Sequence, residues 1–263
     1  MCLAASRGLG LGVAKEMAAA GARTLLVGRD RAKLEEAVRR VVKDLEETGP
    51  YPGVGRWHRP ELKTADLLDP SAAGGIMAEA ADLFGGIDVL VNNIGGPPVG
   101  RFHELTAQDW DLAFQRLFQT VIRQIQAALP YLRKSRAPRV LTVTSVSARQ
   151  PIPQLLLSNT FRPGLTGLTK SLAQEWGPEG ILINNLAPGM FETERLLELE
   201  EAAAAERGVP MDEVRRDRVR EIPLGRYGRP EELGRAAVFL ASPANTYVTG
   251  QTILCDGGLY KGL

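Results

Sequence analysis

AASRGLG, residues 4–10, stands between a short apolar segment and residues 11–20, whose periodicity predicts a helix closed by Gly21. Gly8 and Gly10 let the backbone approach a phosphate, and the start of the helix directs free N–H groups at it. Glycine pairs are common in turns, so the motif alone says little. Opening the first helix of a chain in which strands and helices alternate, it reads as the phosphate loop of a dinucleotide-binding fold, formed by Ser6, Arg7, Gly8, Leu9 and Gly10.

That alternation runs through the chain. TLLVG (24–28) is a buried strand, and residues 31–47 return to helical periodicity. A Pro- and Gly-rich loop at 48–60 precedes LKTADLL (62–68), a strand ending at Asp66. Helix 71–84 leads to IDVLVNNIGG (87–96), and helical patterns over 106–135 lead to RVLTVTSVS (139–147). Helix 160–176 then precedes GILINNLAPG (180–189), stopped by Pro188-Gly189, and the last strand is QTILCDGG (251–258). Short apolar strands between helices predict an α/β protein: a single doubly wound Rossmann-type parallel sheet with helices on both faces. No polar linker or repeat divides the chain, so one domain is expected over residues 1–263. The charged helical segment 194–222 lies between the last two strands and is expected to form an exposed lid over the ligand crevice.

Of the 263 residues 44% are hydrophobic and 24% charged, and the formal net charge is +1. That balance gives no electrostatic reason to expect nucleic acid or an anionic membrane as partner. No apolar run is long enough to span a bilayer, and the N-terminus reads as a loop rather than a signal peptide. Cys2 and Cys255 lie far apart without metal-ligand spacing, which points to a reduced cytoplasmic protein with no metal site.

The second strand sets the cofactor. An acid at its end would bind the ribose 2′-OH of NAD(H) and repel a 2′-phosphate. Here the position is Gly28, followed by Arg29, and Arg7 sits in the loop itself. Two guanidinium groups favour NADP(H) over NAD(H), with Asp30 as a nearby counterweight.

AASRGLG, Asp66-Leu67, NNIGG (92–96), TSVS (144–147), NNLAPGMFET (184–193), IPLGRYGRPEEL (222–233) and YVTGQTILCDGG (247–258) together resemble the short-chain dehydrogenases/reductases, across nearly the whole chain. The likeness is to 3-oxoacyl-acyl-carrier-protein reductases and their divergent relatives. The resemblance implies an oxidoreductase acting on a small-molecule carbonyl or alcohol. It also implies that Asp66 contacts the adenine with the Leu67 backbone beside it. Asn93 and Gly95 would line the adenosine-ribose side, and Pro188, Gly189 and Thr193 would hold the nicotinamide. In that architecture the helices within 106–135 and 160–176 build a homodimer or homotetramer. Leu3-Ala4 departs from the family's Thr-Gly, and only residues 1–3 remain for what should be a central strand. The expectation is a stunted strand or a start further upstream, with ladder bonds lost.

The family's catalytic set is an Asn, a Ser, a Tyr, and a Lys four residues after the Tyr. Ser145 matches the serine. The tyrosine position is Ser158, the lysine position Arg162, and the asparagine position Leu117. This chain resembles a reductase-like branch with a Ser-Asn-x-x-Arg pattern. Arg162 can still donate to ribose hydroxyls, but Ser158 is a far weaker acid than tyrosine and its short side chain is expected to leave a gap. Arg162 is therefore read as a ribose anchor and Ser158 as a hydrogen-bonding wall. His58, in the irregular loop, and His103, a rim residue, are not obvious substitutes. Two functions remain open: an NADP(H)-dependent oxidoreductase with an altered proton donor, or a catalytically silent dinucleotide-binding sensor or assembly subunit.

Overall fold

The computed structural model describes residues 1–262. Six strands run through it: β1 (Leu25–Gly28), β2 (Glu61–Thr64), β3 (Val89–Asn92), β4 (Arg139–Val143), β5 (Leu182–Pro188) and β6 (Thr252–Cys255). β1 pairs with β2, and β3 through β6 pair in chain order, every pair parallel. Cys2 joins the two blocks, bridging Leu26 of β1 on one side and Val91 of β3 on the other. The spatial order is thus β2-β1-Cys2-β3-β4-β5-β6, with all strands parallel and the order of strand addition reversing at the N-terminal segment.

That segment corrects one expectation. Its few residues fill the ladder on both sides: Cys2 N donates to Leu25 O at 2.9 Å, Val27 N to Cys2 O at 3.1 Å, Val91 N to Met1 O at 2.9 Å and Leu3 N to Val91 O at 3.1 Å. The strand is short, but its backbone groups are paired.

Side chains alternate across the strands, so each strand feeds two cores. Leu25, Val27, Leu90, Val140 and Ile183 face one core with α3 (Ala72–Phe84), α5 (Thr120–Leu132) and α6 (Leu156–Trp176). Leu26, Val91, Leu141 and Leu186 face the other with α1 (Gly8–Ala19), α2 (Arg31–Thr48) and α9 (Pro230–Ala241). α9 is an addition to the sequence reading, which took IPLGRYGRPEEL only as a motif. Its start is legible in hindsight: Pro230 is its first residue, and Glu232 accepts from the Arg229 N–H at 2.8 Å. Gly12 makes the α1–α9 contact possible, since a Cβ there would stand 2.5 Å from the Pro230 backbone.

Two helices differ from expectation in ways that bear on the site. The pattern over 106–135 is broken into α4 (Ala107–Phe114), a π turn (Gln115–Gln119) and α5, with Thr120 Oγ1 donating to Gln115 O at 2.9 Å. α6 begins four residues earlier than expected, at Leu156, although Pro163 lies inside it. The segment 194–222 folds as α7 (Glu194–Arg207) and α8 (Met211–Arg220). Both cysteines are free, and among the described residues no helix is long and apolar enough to cross a membrane.

Candidate active site

Because all strands are parallel, the loops leaving their C-terminal ends gather on one edge, beside the reversal at the N-terminal segment. The expected residues leave from those ends. Arg29 follows β1, Asp66 and Leu67 follow β2, Asn93 and Gly95 follow β3, and Ser145 follows β4. Pro188 ends β5 with Gly189 after it, and Thr193 caps α7 by accepting from Leu196 N at 3.2 Å. Arg29, Asp66 and Gly95 are exposed.

The phosphate loop is held from two sides. Asn93 Nδ2 donates to Ala4 O at 3.2 Å, and a Cβ on Gly10 would stand 2.4 Å from that same oxygen. Only glycine fits at position 10. Thr193 Cγ2 lies 3.5 Å from the position of a Gly8 Cβ, so the α7 cap closes against the loop. Gly189 is equally constrained, a Cβ there meeting Asp256 Cβ at 2.7 Å. Ala4, where the family has glycine, sits at φ 45°, a left-handed backbone that a Cβ disfavours. Arg7 pairs with the exposed Glu194 at the start of α7, so that carboxylate stands where a phosphate would meet the loop arginine.

The serine–arginine group is more enclosed than expected. Ser145 Oγ accepts from Ser147 N at 3.1 Å, and Ser147 Oγ lies 3.0 Å from Ser158 Oγ. Arg162 Nε donates to Ser158 Oγ at 2.9 Å, and Arg162 Nη1 donates to Thr144 O at 2.6 Å and Val143 O at 3.3 Å. Ser158 is 4% exposed and Arg162 8%. The gap expected at Ser158 is closed from within: the hydroxyl turns to Ser147 and Arg162, while Ser145 stays half-buried. Burial in this group pushes the Arg162 guanidinium down to about 10. Arg162 Nη2 has no protein partner among the described residues.

The direction of these bonds has a chemical consequence. Arginine only donates, so Ser158 Oγ accepts from Arg162 and keeps one O–H to give, either to Ser147 Oγ or to an oxygen in the crevice. Ser147 was missed by the sequence reading, although the spacing of the two serines in TSVS was its signal. Leu117 lies in the π turn at 2% exposure and offers no polar group there.

Across the crevice, α7 is tied to the opposite wall. Arg195 Nη2 donates to Pro97 O at 2.9 Å, and Glu206 accepts from Arg101 at 3.0 Å and from Gln154. Gln154 itself stands at φ 63°. His103 is exposed on the rim, and His58 lies in the irregular loop after α2.

The family model for enoyl-(acyl carrier protein) reductase matches residues 3–260. The chain belongs to the short-chain dehydrogenase/reductase family. Among the curated short-chain relatives, gluconate 5-dehydrogenase of Gluconobacter oxydans (strain 621H) is 32% identical over 98% of this chain and 93% of its own. The 3-oxoacyl-[acyl-carrier-protein] reductase FabG of Aquifex aeolicus (strain VF5) is 29% identical over 97% of this chain and 94% of its own. Among solved short-chain enzymes, an NADPH-bound short chain oxidoreductase from Pseudomonas aeruginosa PAO1, described as containing an atypical catalytic center, superposes with a TM-score of 0.85 at 30% identity. That likeness covers 100% of this chain and 96% of the other. The resemblance read from the motifs and the doubly wound α/β fold are both borne out.

Proposed function

We propose that this short-chain family member is an NADP(H)-dependent carbonyl or alcohol oxidoreductase in which Ser158 and Arg162 stand in for the family's tyrosine and lysine. The observation that carries the reading is the hydrogen-bonded group Ser147–Ser158–Arg162 at the end of β4, with Ser145 beside it. The residues around the crevice suit a dinucleotide: a glycine loop opens α1, with Gly10 packed against Ala4 O, and the ends of β1 to β5 converge on the same edge. Ser6, Arg7, Gly8, Leu9 and Gly10 would hold its diphosphate, and Asp66, Leu67, Asn93 and Gly95 its adenosine. Pro188, Gly189 and Thr193 would hold the nicotinamide, and the free Nη2 of Arg162 its ribose. When bound, the cofactor supplies hydride exchange with the substrate carbon.

The chain's own residues then handle the proton and the developing charge. Ser145, the more accessible hydroxyl, polarises the substrate oxygen. Ser158 lines the site as a hydrogen-bonding wall, and its O–H joins Ser145 and water in a proton path that takes the place of the tyrosine, with the Arg162 cation behind it. A serine is a poorer acid than an activated tyrosine, so turnover slower by about a hundred- to ten-thousand-fold than with well-placed acid catalysis is expected. α7 and α8 act as the lid over the substrate, and the molecule works in the cytoplasm. Assembly as a homodimer or homotetramer through α4–α5 and α6 is supported by the half-buried aromatic run of Phe114, Phe118 and Phe161, with centroids 5.9 Å apart in each contact. Sedimentation showing only monomer at micromolar concentration would remove that part.

The test is single-turnover oxidation of bound NADPH by a panel of carbonyl compounds. Turnover that falls in Ser145→Ala supports the enzyme. A second reading, a silent dinucleotide-binding sensor or assembly subunit, is favoured by the enclosure of Ser158 and Arg162, which satisfy each other rather than face the crevice. Tight NADPH binding with no turnover on any carbonyl would select it.

A further inference from the structure

Arg116 is the second residue of the π turn, and its Nη1 donates to Gly96 O at 3.2 Å. It is half-buried and has no carboxylate partner among the described residues. A half-buried cation without a counter-ion is costly unless an anion completes it. Its surroundings add positive charge rather than remove it. Arg195 of α7 lies over the same turn, its Nε 3.5 Å from the position of a Gly96 Cβ and its Nη2 on Pro97 O. Burial lowers the Arg116 guanidinium from its ordinary value, the Arg29 charge lowers it next, Asp66 raises it, and Arg195 lowers it again. Arg29 is exposed and is likewise without an ion pair among the described residues. Two guanidinium groups without an ion pair, Arg116 and Arg29, therefore share one nearby carboxylate, Asp66, whereas Arg195 already pairs with Glu198 at 3.1 Å and Arg7 with Glu194.

We propose that Arg116, together with Arg29, binds the phosphate on the adenosine ribose of NADP(H), so that the π turn carries a determinant of cofactor selectivity. This rests on the reading of the crevice as a dinucleotide site. The π turn explains how a helix supplies the residue: one extra residue in the turn offsets the helix register there, and Arg116 bonds the loop leaving β3 while its neighbour Leu117 is buried. A guanidinium held by one N–H to a carbonyl keeps its remaining donors for phosphate oxygens. The shared approach of Arg195 gives the site a contribution from α7.

The experiment is calorimetric titration of the full chain with 2′,5′-ADP, 5′-AMP, NADPH and NADH. In Arg116→Gln, 2′,5′-ADP and NADPH should weaken at least tenfold, while 5′-AMP and NADH change less than threefold. Arg116→Lys keeps the charge and a donor for Gly96 O, guards against loss of folding, and should fall between the two. Equal weakening of all four ligands would overturn the proposal and make Arg116 a support of the Gly96–Pro97 turn. Unchanged 2′,5′-ADP affinity in Arg116→Gln would overturn it too. Failure of the underlying reading looks different: the unmodified chain would then bind neither NADPH nor NADH.

Discussion

Arg162 Nε donates to Ser158 Oγ at 2.9 Å across one turn of α6, and neither side chain keeps more than 8% of its surface in solvent. The two residues proposed to stand in for the family's tyrosine and lysine are therefore a bonded pair, held to β4 by the carbonyls of Val143 and Thr144. Removing either leaves the other's polar groups unpaired in the interior. Ser158→Ala is expected to lower unfolding free energy by about 1–3 kcal/mol, the cost of a stranded charged donor. Ser158→Thr retains the hydroxyl and should lose much less. Urea denaturation of the two variants checks this; equal losses would show that the hydroxyl is not what matters.

Arg162→Lys tests the fork itself. A lysine has no Nε placed to meet Ser158 while a second nitrogen reaches Thr144 O, so one of these bonds is lost. Stability should fall by about 1–3 kcal/mol. Arg162→Ala removes the donor assigned to the ribose altogether, and NADPH affinity should fall with it. Fluorescence titration beside the denaturation curve separates the two effects. An Arg162→Ala variant destabilised yet unchanged in NADPH affinity would remove Arg162 from the cofactor site.

Ala4 stands at φ 45°, where the family places glycine. A Cβ in that region costs about 1–2 kcal/mol, and glycine recovers part of this while losing some through its freer unfolded chain. Ala4→Gly is expected to stabilise the protein by about 0.5–1 kcal/mol. A thermal midpoint that drops instead would mean the methyl group packs well enough to outweigh the backbone strain.

The departures legible in the sequence prove to be of different kinds. Leu3-Ala4 for Thr-Gly is a local strain at one residue, and the short first strand still pairs through Cys2 because a central strand needs only a few backbone groups to satisfy its neighbours. The family resemblance pointed to Ser145, Ser158 and Arg162, and the last two share a face because they lie one helical turn apart. Ser147 and Arg116 escaped, because each is placed by tertiary contact: a short helical turn that points one hydroxyl inward, and a π turn that no hydrophobic period announces. The pairing of Arg7 with Glu194 was not legible, because the two lie 187 residues apart. α9 was passed over because its first turn, RPEE, is polar, although Leu233, Ala237 and Leu240 carry the buried face.

Glu194 pairs with Arg7, the loop arginine proposed to meet the cofactor's diphosphate. Both side chains are more than half exposed, so the pair contributes about 1 kcal/mol or less to stability. Glu194→Gln should leave the unfolding free energy nearly unchanged and tighten NADPH at low ionic strength, with the advantage shrinking as salt rises through the range where exposed charges are screened. Titrations at two salt concentrations read the effect. An affinity that does not move would mean that Arg7 takes no part in holding the cofactor.

Glu232 connects the start of α9 to the loop before it, and its titration gives a pH test. Its oxygens accept from Arg226 Nη1 and Nη2 at 2.8 and 2.7 Å, and one of them also accepts from the Arg229 N–H at 2.8 Å. These bonds, the Arg226 fork first, pull the carboxyl down from 4.5 to about 2. The folded value lies below the unfolded one, so the folded state binds the proton less readily. The stabilisation is fully present above about pH 4.5 and is lost as the pH falls through about 2. The side chain is partly exposed, and solvent screening keeps the contribution to about 1 kcal/mol, comparable to a helix cap. Glu232→Gln should therefore be less stable than the unmodified chain at pH 7, and the difference should close as both are titrated towards pH 2. Because α9 packs on α1 through Gly12, loosening its first turn should also weaken NADPH binding slightly at pH 7. A stability difference that stays constant between pH 7 and pH 2 would show that the charge on Glu232 contributes nothing, and that only the shape of the cap matters.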